Sequence, residues 1–258
     1  MNKDLFANER REIILHILGE QRSVTVSELI ERFGVSIETI RRDLDFLEKN
    51  QKLQRVHGGA IIPNRRPTFE TVEKRLQEHA DEKRQLSEIA VRYVENGDML
   101  FVDSGSTAAA FAVSLKNSGK NVKVATYSAD VFQILSDCPN VQLILSGGSY
   151  LADEKAFCGS LACECMQKMY ADKCFLAPST ISLKYGAGDF IYELISLQKI
   201  ISEQNNGLFI LADSSKFETT GNFQITDTLS GCTVITDGKI SDSLYELYLY
   251  NNINVIKE

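Results

Sequence analysis

From Asp98 onward the chain repeats one pattern: a short apolar run, a polar cluster, then a stretch suited to helix. MLFVD leads into SGST and a helix to about Leu115, NVKVATYS leads into a helix through Leu135, and NVQLILSGG follows. KCFLAP, GLFILAD, CTVITD and INVIKE come later, interleaved with helical stretches such as Glu193 to Ser202. Strands that alternate with helices form a mostly parallel sheet covered on both faces. Such a sheet binds ligands beyond the carboxyl ends of its strands. The polar clusters stand at those ends: Asp103-Ser104-Gly105-Ser106-Thr107, Thr126-Tyr127-Ser128, Gly147-Gly148 and Asp213-Ser214-Ser215-Lys216. Hydroxyls and free amides at a helix N-terminus cradle a phosphate, glycine lets the backbone approach it, and lysine adds a full charge. A single cluster serves equally well as a tight turn and helix cap, whereas four that converge predict a pocket for an anion.

The first 60 residues follow a different plan. RREIILHIL places Ile13, Ile14, Ile17 and Leu18 on one helical face, and Gly19 reads as the stop. Thr25-Val26-Ser27-Glu28 has the spacing of a capping box for a helix from Val26 to Phe33. Gly34 supplies a sharp turn, and Ser36 caps a third helix from Ile37 to about Lys49. Two short helices joined by a tight turn make a helix-turn-helix. On the third helix Ile40, Leu44 and Leu47 share the buried stripe, Glu38 and Arg42 point away from it, and Thr39 and Arg41 flank it. Arginine and hydroxyl groups at the start of an exposed helix suit a DNA major groove, while the plainer reading is a solvated face balanced by Asp43 and Asp45. The segment Leu53 to Ala60 alternates apolar and polar residues and ends in Gly58-Gly59, a short hairpin that would form a wing. Arg55 and His57 are its DNA-facing candidates, with His57 equally suited to satisfying turn carbonyls.

Charge supports the division. Residues 1–66 carry 12 Lys or Arg against 10 Asp or Glu, and the remainder 16 against 25, within a net charge of -7. A mildly basic head on an acidic body fits local DNA contact without general adhesion to polyanions. Pro63 and Pro67 frame the irregular, basic IIPNRRP, whose Arg65 and Arg66 read as solvated. The expected layout is a DNA-binding domain over 1–60, a linker over 61–80 and an effector domain over 81–258, with polar helices ending near Asn96-Gly97. No apolar run approaches the roughly 20 residues of a membrane span, and MNKDLFANERREI lacks the apolar core of a signal peptide. A cytoplasmic location is expected, with the six cysteines reduced and packed as small apolar groups. Cys163-Glu164-Cys165 does not have the usual spacing of a metal site, and no metal or cofactor is expected.

The run VSIETIRRDLDFLEKNQKLQRVHGGA resembles the signature of the DeoR family of bacterial transcriptional regulators, and the resemblance extends through the body. DSGST is similar to the family's DSGTT, VATYS to its VTNS, LSGG to its LGG, and LADSSKF matches directly. The resemblance implies an α/β protein with an N-terminal winged helix-turn-helix and a C-terminal sensor domain, mostly parallel and similar to ribose-5-phosphate isomerase. It implies operator contacts from Ser36, Glu38, Thr39, Arg41 and Arg42, and from Arg55 and His57 in the wing. A phosphorylated sugar would be held by Ser104, Gly105, Ser106 and Thr107 with Lys216 nearby, and Asp103, Ser128, Gly148 and Glu193 would complete the pocket wall. Asn50-Gln51 stands where the family has glycine after the recognition helix, and Asn50 tolerates the left-handed conformation. Tyr127 replaces an asparagine, Ala177 and Thr180 replace glycines of an FLGANGI pattern, and Gly188 stands where threonine is common. Larger groups there are expected to narrow or reshape the pocket.

A sugar-phosphate isomerase with an added head is the competing reading. Such an enzyme needs a poised carboxylate and groups that stabilise an enediolate. The dense acidic DGADE-type turn of those isomerases is missing, leaving isolated Asp172 and Asp189 and a single candidate base, Glu193. The expectation is therefore a non-catalytic regulator. Its partners would be double-stranded operator DNA and a phosphorylated effector, in a homodimer or homotetramer, because linked heads raise affinity through effective concentration.

Overall fold

A computed structural model describes residues 7–21, 23–50, 52–56, 58–61 and 71–257. The chain divides into two compact units, Met1–Phe69 and Glu70–Glu258. The smaller contains α1 (Ala7–Gln21), β1 (Ser23–Thr25), α2 (Val26–Phe33), α3 (Ile37–Lys49), β2 (Gln54–Val56) and β3 (Gly59–Ile61). Ile14, Leu18, Leu29, Ile40, Leu44 and Leu53 fill its core. The capping box of α2 forms as its spacing requires: Thr25 Oγ1 accepts from the Glu28 amide at 3.2 Å, and Glu28 Oε2 accepts from the Thr25 amide at 2.7 Å. Gly34 ends α2 in the left-handed conformation, and Ser36 Oγ accepts from the Thr39 amide at 3.3 Å to start α3.

Two terminus readings need correction. Gly19 does not stop α1, which runs on to Gln21, because one glycine costs only about 1 kcal/mol in a helix and Glu20 and Gln21 favour its continuation. Asn50 is not left-handed; at φ -88° its backbone and side-chain nitrogens both donate to the Phe46 carbonyl, at 3.1 and 2.7 Å, and this seals α3 instead.

In the wing β3 lies between β1 and β2 in an antiparallel sheet. A Cβ at Gly59 would stand 2.2 Å from the Val24 carbonyl oxygen, so only glycine lets β3 close on β1. Gly59→Ala is expected to destabilise the head by about 1–3 kcal/mol, read as an earlier unfolding transition in denaturant.

The larger unit opens with α4 (Val72–Gln77) and α5 (Ala80–Ala90), followed by β4 (Met99–Val102), α6 (Gly105–Ser118), β5 (Val122–Thr126), α7 (Ala129–Leu135) and β6 (Val141–Leu145). A hairpin of β7 (Ser149–Leu151) and β8 (Ala156–Cys158) leads to α8 (Ser160–Gln167) and β9 (Lys173–Leu176). Next come β10 (Thr180–Ser182), β11 (Gly186–Asp189), α9 (Tyr192–Glu203), β12 (Leu208–Leu211) and β13 (Phe223–Gln224). Last are β14 (Thr233–Ile235), α10 (Asp242–Tyr250) and β15 (Asn254–Ile256). Residues 72–77, inside the stretch read as a linker, thus form the first helix of the larger unit.

The seven runs read as strands form one sheet, in the order β15-β14-β12-β9-β4-β5-β6, with every pair parallel. Alternate residues enter separate cores. Leu100, Val102, Phe175, Phe209, Leu211 and Ile235 pack with α5, α6 and α7, whereas Phe101, Cys174, Leu176, Ile210 and Val234 pack with α8 and α9. From β4 the chain steps outward to β5 and β6 and then returns to β9 on the other side of β4. This reversal opens a crevice at the carboxyl ends of β4 and β9.

Candidate functional site

Helix α3 presents its two arginines outward. Arg41 and Arg42 are exposed, and among the described residues no ion pair holds either one. The acids read as their counterweights are occupied elsewhere. Asp43, 1% exposed, accepts from Arg10 Nε at 2.6 Å and Arg11 Nε at 2.8 Å, which fastens α1 to α3; Asp45 pairs with Arg55. Ser36 and Thr39 lie within 3.1 Å through their hydroxyls at the start of α3, and Glu38 is exposed beside them. Arg55 is half-buried, its amide held at 2.8 Å by Glu48. His57 lies outside the described residues.

In the larger unit the crevice at the β4 and β9 ends begins with Asp103, which has no exposed surface. Its Oδ1 accepts from the Ser104 amide at 2.7 Å and from the Tyr127 hydroxyl, and its Oδ2 from the Ala177 amide at 2.9 Å and Gln198 Nε2 at 3.5 Å. Four donors from four segments make this carboxylate the pin that joins the two strand ends. Burial outweighs those bonds and pushes the Asp103 carboxyl up to about 6, while burial and the Asp103 charge push the Tyr127 hydroxyl well above its usual range. Gln198 also donates to Asp189 Oδ2 at 3.0 Å, and Asp189 Oδ1 accepts from Ser179 Oγ and the Phe190 amide at 2.9 and 2.6 Å.

A carboxyl with a raised folded-state value takes up its proton more readily in the native state. Its stabilising effect is therefore complete below about 4 and is lost as pH rises through 6. The stability advantage of the wild type over Asp103→Asn is expected to shrink by about 2 kcal/mol between pH 4 and pH 7, as measured by urea denaturation at a series of pH values.

Beyond the pin, α6 starts at Gly105, whose φ of +89° favours glycine. Thr25, Ser36, Ser128 and Ser241 cap their own helices, but the Ser104 side chain makes no capping bond to α6. Ser104 and Ser106 are each 5% exposed, and Thr107 is buried. Lys216 Nζ, from the helical turn after β12, donates to the Pro178 carbonyl at 3.0 Å and to Thr107 Oγ1 at 3.5 Å. A second cation reaches the same turn, and a third, Lys83, is coupled to it through charge. A Cβ on Gly105 would stand 3.9 Å from Arg75 Nη1 of α4. Lys83 of α5 is held down to about 8 by burial first and then by the Lys216 charge, with Arg75 adding to the effect. Burial likewise lowers Lys216, against the pull of Asp213 and Asp189.

Ser128, Gly148 and Glu193, the remaining residues read as pocket wall, make no hydrogen bond to Asp103 or Lys216 among the described residues. Ser128 is buried, and its hydroxyl accepts from the Val131 amide at 3.2 Å as the cap of α7. Gly148 is exposed, where a Cβ would stand 2.5 Å from the Cys158 carbonyl oxygen. Glu193 is exposed in the first turn of α9, and its charge bears on Cys158. The residues that replace family glycines and asparagine act below the crevice. Tyr127 is fully buried with its hydroxyl on Asp103, and Ala177 lends Asp103 its amide. Thr180 faces Gly188 across the β10–β11 pair, where a Cβ on residue 188 would approach the Thr180 hydroxyl to 2.9 Å. Thr180 and Gly188 are thus complementary in size at opposing positions. Arg75, Lys83, Asp189 and Gln198 are members that sequence reasoning did not select.

Among the described residues no group of three or more His, Cys, Asp or Glu side chains is placed to hold a metal, and no helix is long and apolar enough to cross a membrane. The DeoR-like helix-turn-helix domain model matches residues 10–66, and the DeoR C terminal sensor domain model matches residues 78–238. The chain is 31% identical to the HTH-type transcriptional regulator GolR of Listeria innocua, over 95% of this chain and 96% of that protein. It is 32% identical to the lactose phosphotransferase system repressor of Lactococcus lactis over 98% of each. The glycerol-3-phosphate regulon repressor of Escherichia coli is 27% identical over 81% and 82% of the two chains. Among solved structures, ribose 5-phosphate isomerase A of Methanocaldococcus jannaschii aligns with a TM-score of 0.40 at 18% identity over 54% of this chain and 55% of that one, a likeness too distant to inform chemistry. With both halves matched and relatives above 30% identity along nearly its whole length, the chain belongs to the DeoR family of transcriptional regulators.

Proposed function

We propose that this regulator represses a carbohydrate-metabolism operon and that a phosphorylated sugar or related metabolite, bound at the start of α6, controls its hold on operator DNA. The observation that carries the effector reading is the uncapped first turn of α6 beside Arg75 and Lys216. Free amides and several cations beside a glycine turn are what a phosphate dianion requires. Ser104, Gly105, Ser106, Thr107 and Lys216 would contact that phosphate, with Asp103 holding the loop in place. The names of two relatives, one tied to lactose phosphotransferase and one to glycerol 3-phosphate, agree with this ligand class. On the DNA side Arg41 and Arg42 would read the major groove, with Ser36, Glu38, Thr39, Arg55 and His57 near the backbone.

The protein acts in the cytoplasm as a homodimer or homotetramer and without catalysis. The donors that occupy both oxygens of Asp103 and Asp189, together with the exposure of Glu193, favour a sensor over an isomerase, because these three carboxylates are engaged in holding the loop or lie in open solvent. The test is a thermal-shift screen of the full-length protein against sugar phosphates and their unphosphorylated counterparts. A phosphorylated member is expected to raise Tm by several degrees while its parent sugar does nothing, since a ligand specific to the native state stabilises it. Equal responses to both members of each pair would overturn the phosphate assignment.

A further inference from the structure

The seven-stranded sheet ends at β15 on one side and at β6 on the other. The β15 edge is guarded: the Val255 carbonyl, which points away from β14, accepts from the Tyr245 hydroxyl at 3.5 Å, and Lys257 follows, paired with Asp242 at 3.2 Å. Charged residues and covered main-chain groups keep a sheet edge from recruiting another chain. The β6 edge has neither. Its sequence VQLIL pairs with β5 without a bulge, from Val122 opposite Val141 to Thr126 opposite Leu145. The Asn140 carbonyl accepts from the Val122 amide and the Ser146 amide donates to the Thr126 carbonyl, so even-numbered residues face β5. Val141, Leu143 and Leu145 therefore turn their main-chain groups to the open side. The Val141 amide donates to the Cys138 carbonyl at 3.1 Å, whereas the amides of Leu143 and Leu145 have no ladder partner there among the described residues.

The side chains fit the same picture. Val141, Leu143, Ile144 and Leu145 are only half-buried, while Val122, Val124 and Ala125 of neighbouring β5 are buried. Helix α7, which packs on β6, leaves Phe132 39% exposed. No charged side chain occurs from Cys138 to Ala152, although the body as a whole is acidic. Two copies of an acidic body repel one another in most approaches, and an uncharged apolar edge is where that repulsion is least.

We infer that β6 is the edge at which two copies of this chain pair, antiparallel about a two-fold axis at Leu143, so that their two sheets run on as one. This rests on the reading of the protein as a homo-oligomer. In that register each Leu143 exchanges both main-chain bonds with the partner's Leu143, and each Leu145 amide reaches the partner's Val141 carbonyl. Val141, Leu143 and Leu145 share one face of the strand, so Leu143 lies against its own copy and Val141 against the partner's Leu145. The outward positions 141, 143 and 145 are apolar in whichever direction the strand is read, which is what a self-complementary two-fold contact requires.

Sedimentation velocity of the full-length protein over a range of concentrations tests this, with Leu143→Lys as the variant. Lysine there sets two ammonium groups against each other on the axis, while its stem replaces much of the leucine packing. Wild type is expected to self-associate, and the variant to do so at least about 100-fold more weakly with its unfolding transition retained. A second measurement needs no variant: residue-resolved hydrogen exchange at the Leu143 and Leu145 amides should be about tenfold or more slower in the wild-type oligomer than in protein diluted to monomer. Unchanged association of Leu143→Lys overturns the pairing. If that variant does not fold, equal exchange of the two amides in oligomer and monomer overturns it instead and leaves the edge to an extended segment of another protein. Wild type that stays monomeric at every concentration overturns the homo-oligomer reading itself, so the two failures are distinguishable.

Discussion

The double variant Arg41→Ala/Arg42→Ala is expected to lose about 10²- to 10³-fold of its affinity for a selected operator while its unfolding stability stays within about 0.5 kcal/mol of wild type. Both side chains are exposed and outside any ion pair among the described residues, so their removal takes nothing from the fold. Their neighbours Asp43 and Asp45 keep their own partners. The measurement is a fluorescence-anisotropy titration at two salt concentrations, with DNA obtained by selection from genomic fragments. The variant should keep a weak, strongly salt-dependent affinity that no longer distinguishes operator from random DNA. Undiminished discrimination would show that α3 is not the element that reads bases.

Lys216→Ala carries the second large effect. A hydrogen bond to a charged group contributes about 1.5–3 kcal/mol, so the effector identified in the thermal-shift screen should bind roughly 10- to 100-fold more weakly. DNA binding without effector should change by less than about twofold, because Lys216 belongs to the larger unit and not to the helix-turn-helix. Lys216 is a half-buried ammonium whose charge burial disfavours, and removing it spares the body that cost. Its absence should also let the Lys83 ammonium titrate above about 8, as the Lys216 charge is the second cause of its depression. An NMR titration of Lys83 in the variant checks this, and an unaltered value would mean that the two ammonium groups do not share a site.

Much of the architecture was written in local patterns. The capping box at Thr25 and Glu28, the turn at Gly34 and the cap at Ser36 involve residues within three or four positions of one another, so their spacing suffices to place α2 and α3. The seven apolar runs likewise identify the strands of the sheet, because a strand buried on both faces needs an unbroken run of apolar residues. The rule that ligands gather at strand ends led to the α6 turn and to Lys216. It could not rank the other strand ends, because the switch point lies between β4 and β9, and strand order is a long-range property that no short motif encodes. Gly148, where a Cβ would meet the Cys158 carbonyl, and Glu193, exposed at the start of α9, bring no hydrogen bond to Asp103 or Lys216 among the described residues. Arg75 and Lys83 were hidden for the converse reason: they sit in a charged, polar stretch that reads as linker, and only the packing of α4 and α5 against α6 brings them to the turn. Asp43 carried no signal either, since nothing about an acid on an amphipathic helix announces that two arginines some thirty residues away will bury it.

The complementary sizes of Thr180 and Gly188 across β10 and β11 have a consequence for what either position can hold. Returning residue 188 alone to threonine drives a Cβ into the Thr180 hydroxyl, and changing Thr180 alone to glycine strips the Gly221 amide of the oxygen that it meets at 2.9 Å. Each single change is unfavourable on these contacts, so the two positions are coupled through the space and the hydroxyl that they share. A side chain larger than glycine at residue 188 therefore requires a smaller or displaced one at residue 180, and the Gly221 amide then needs another acceptor.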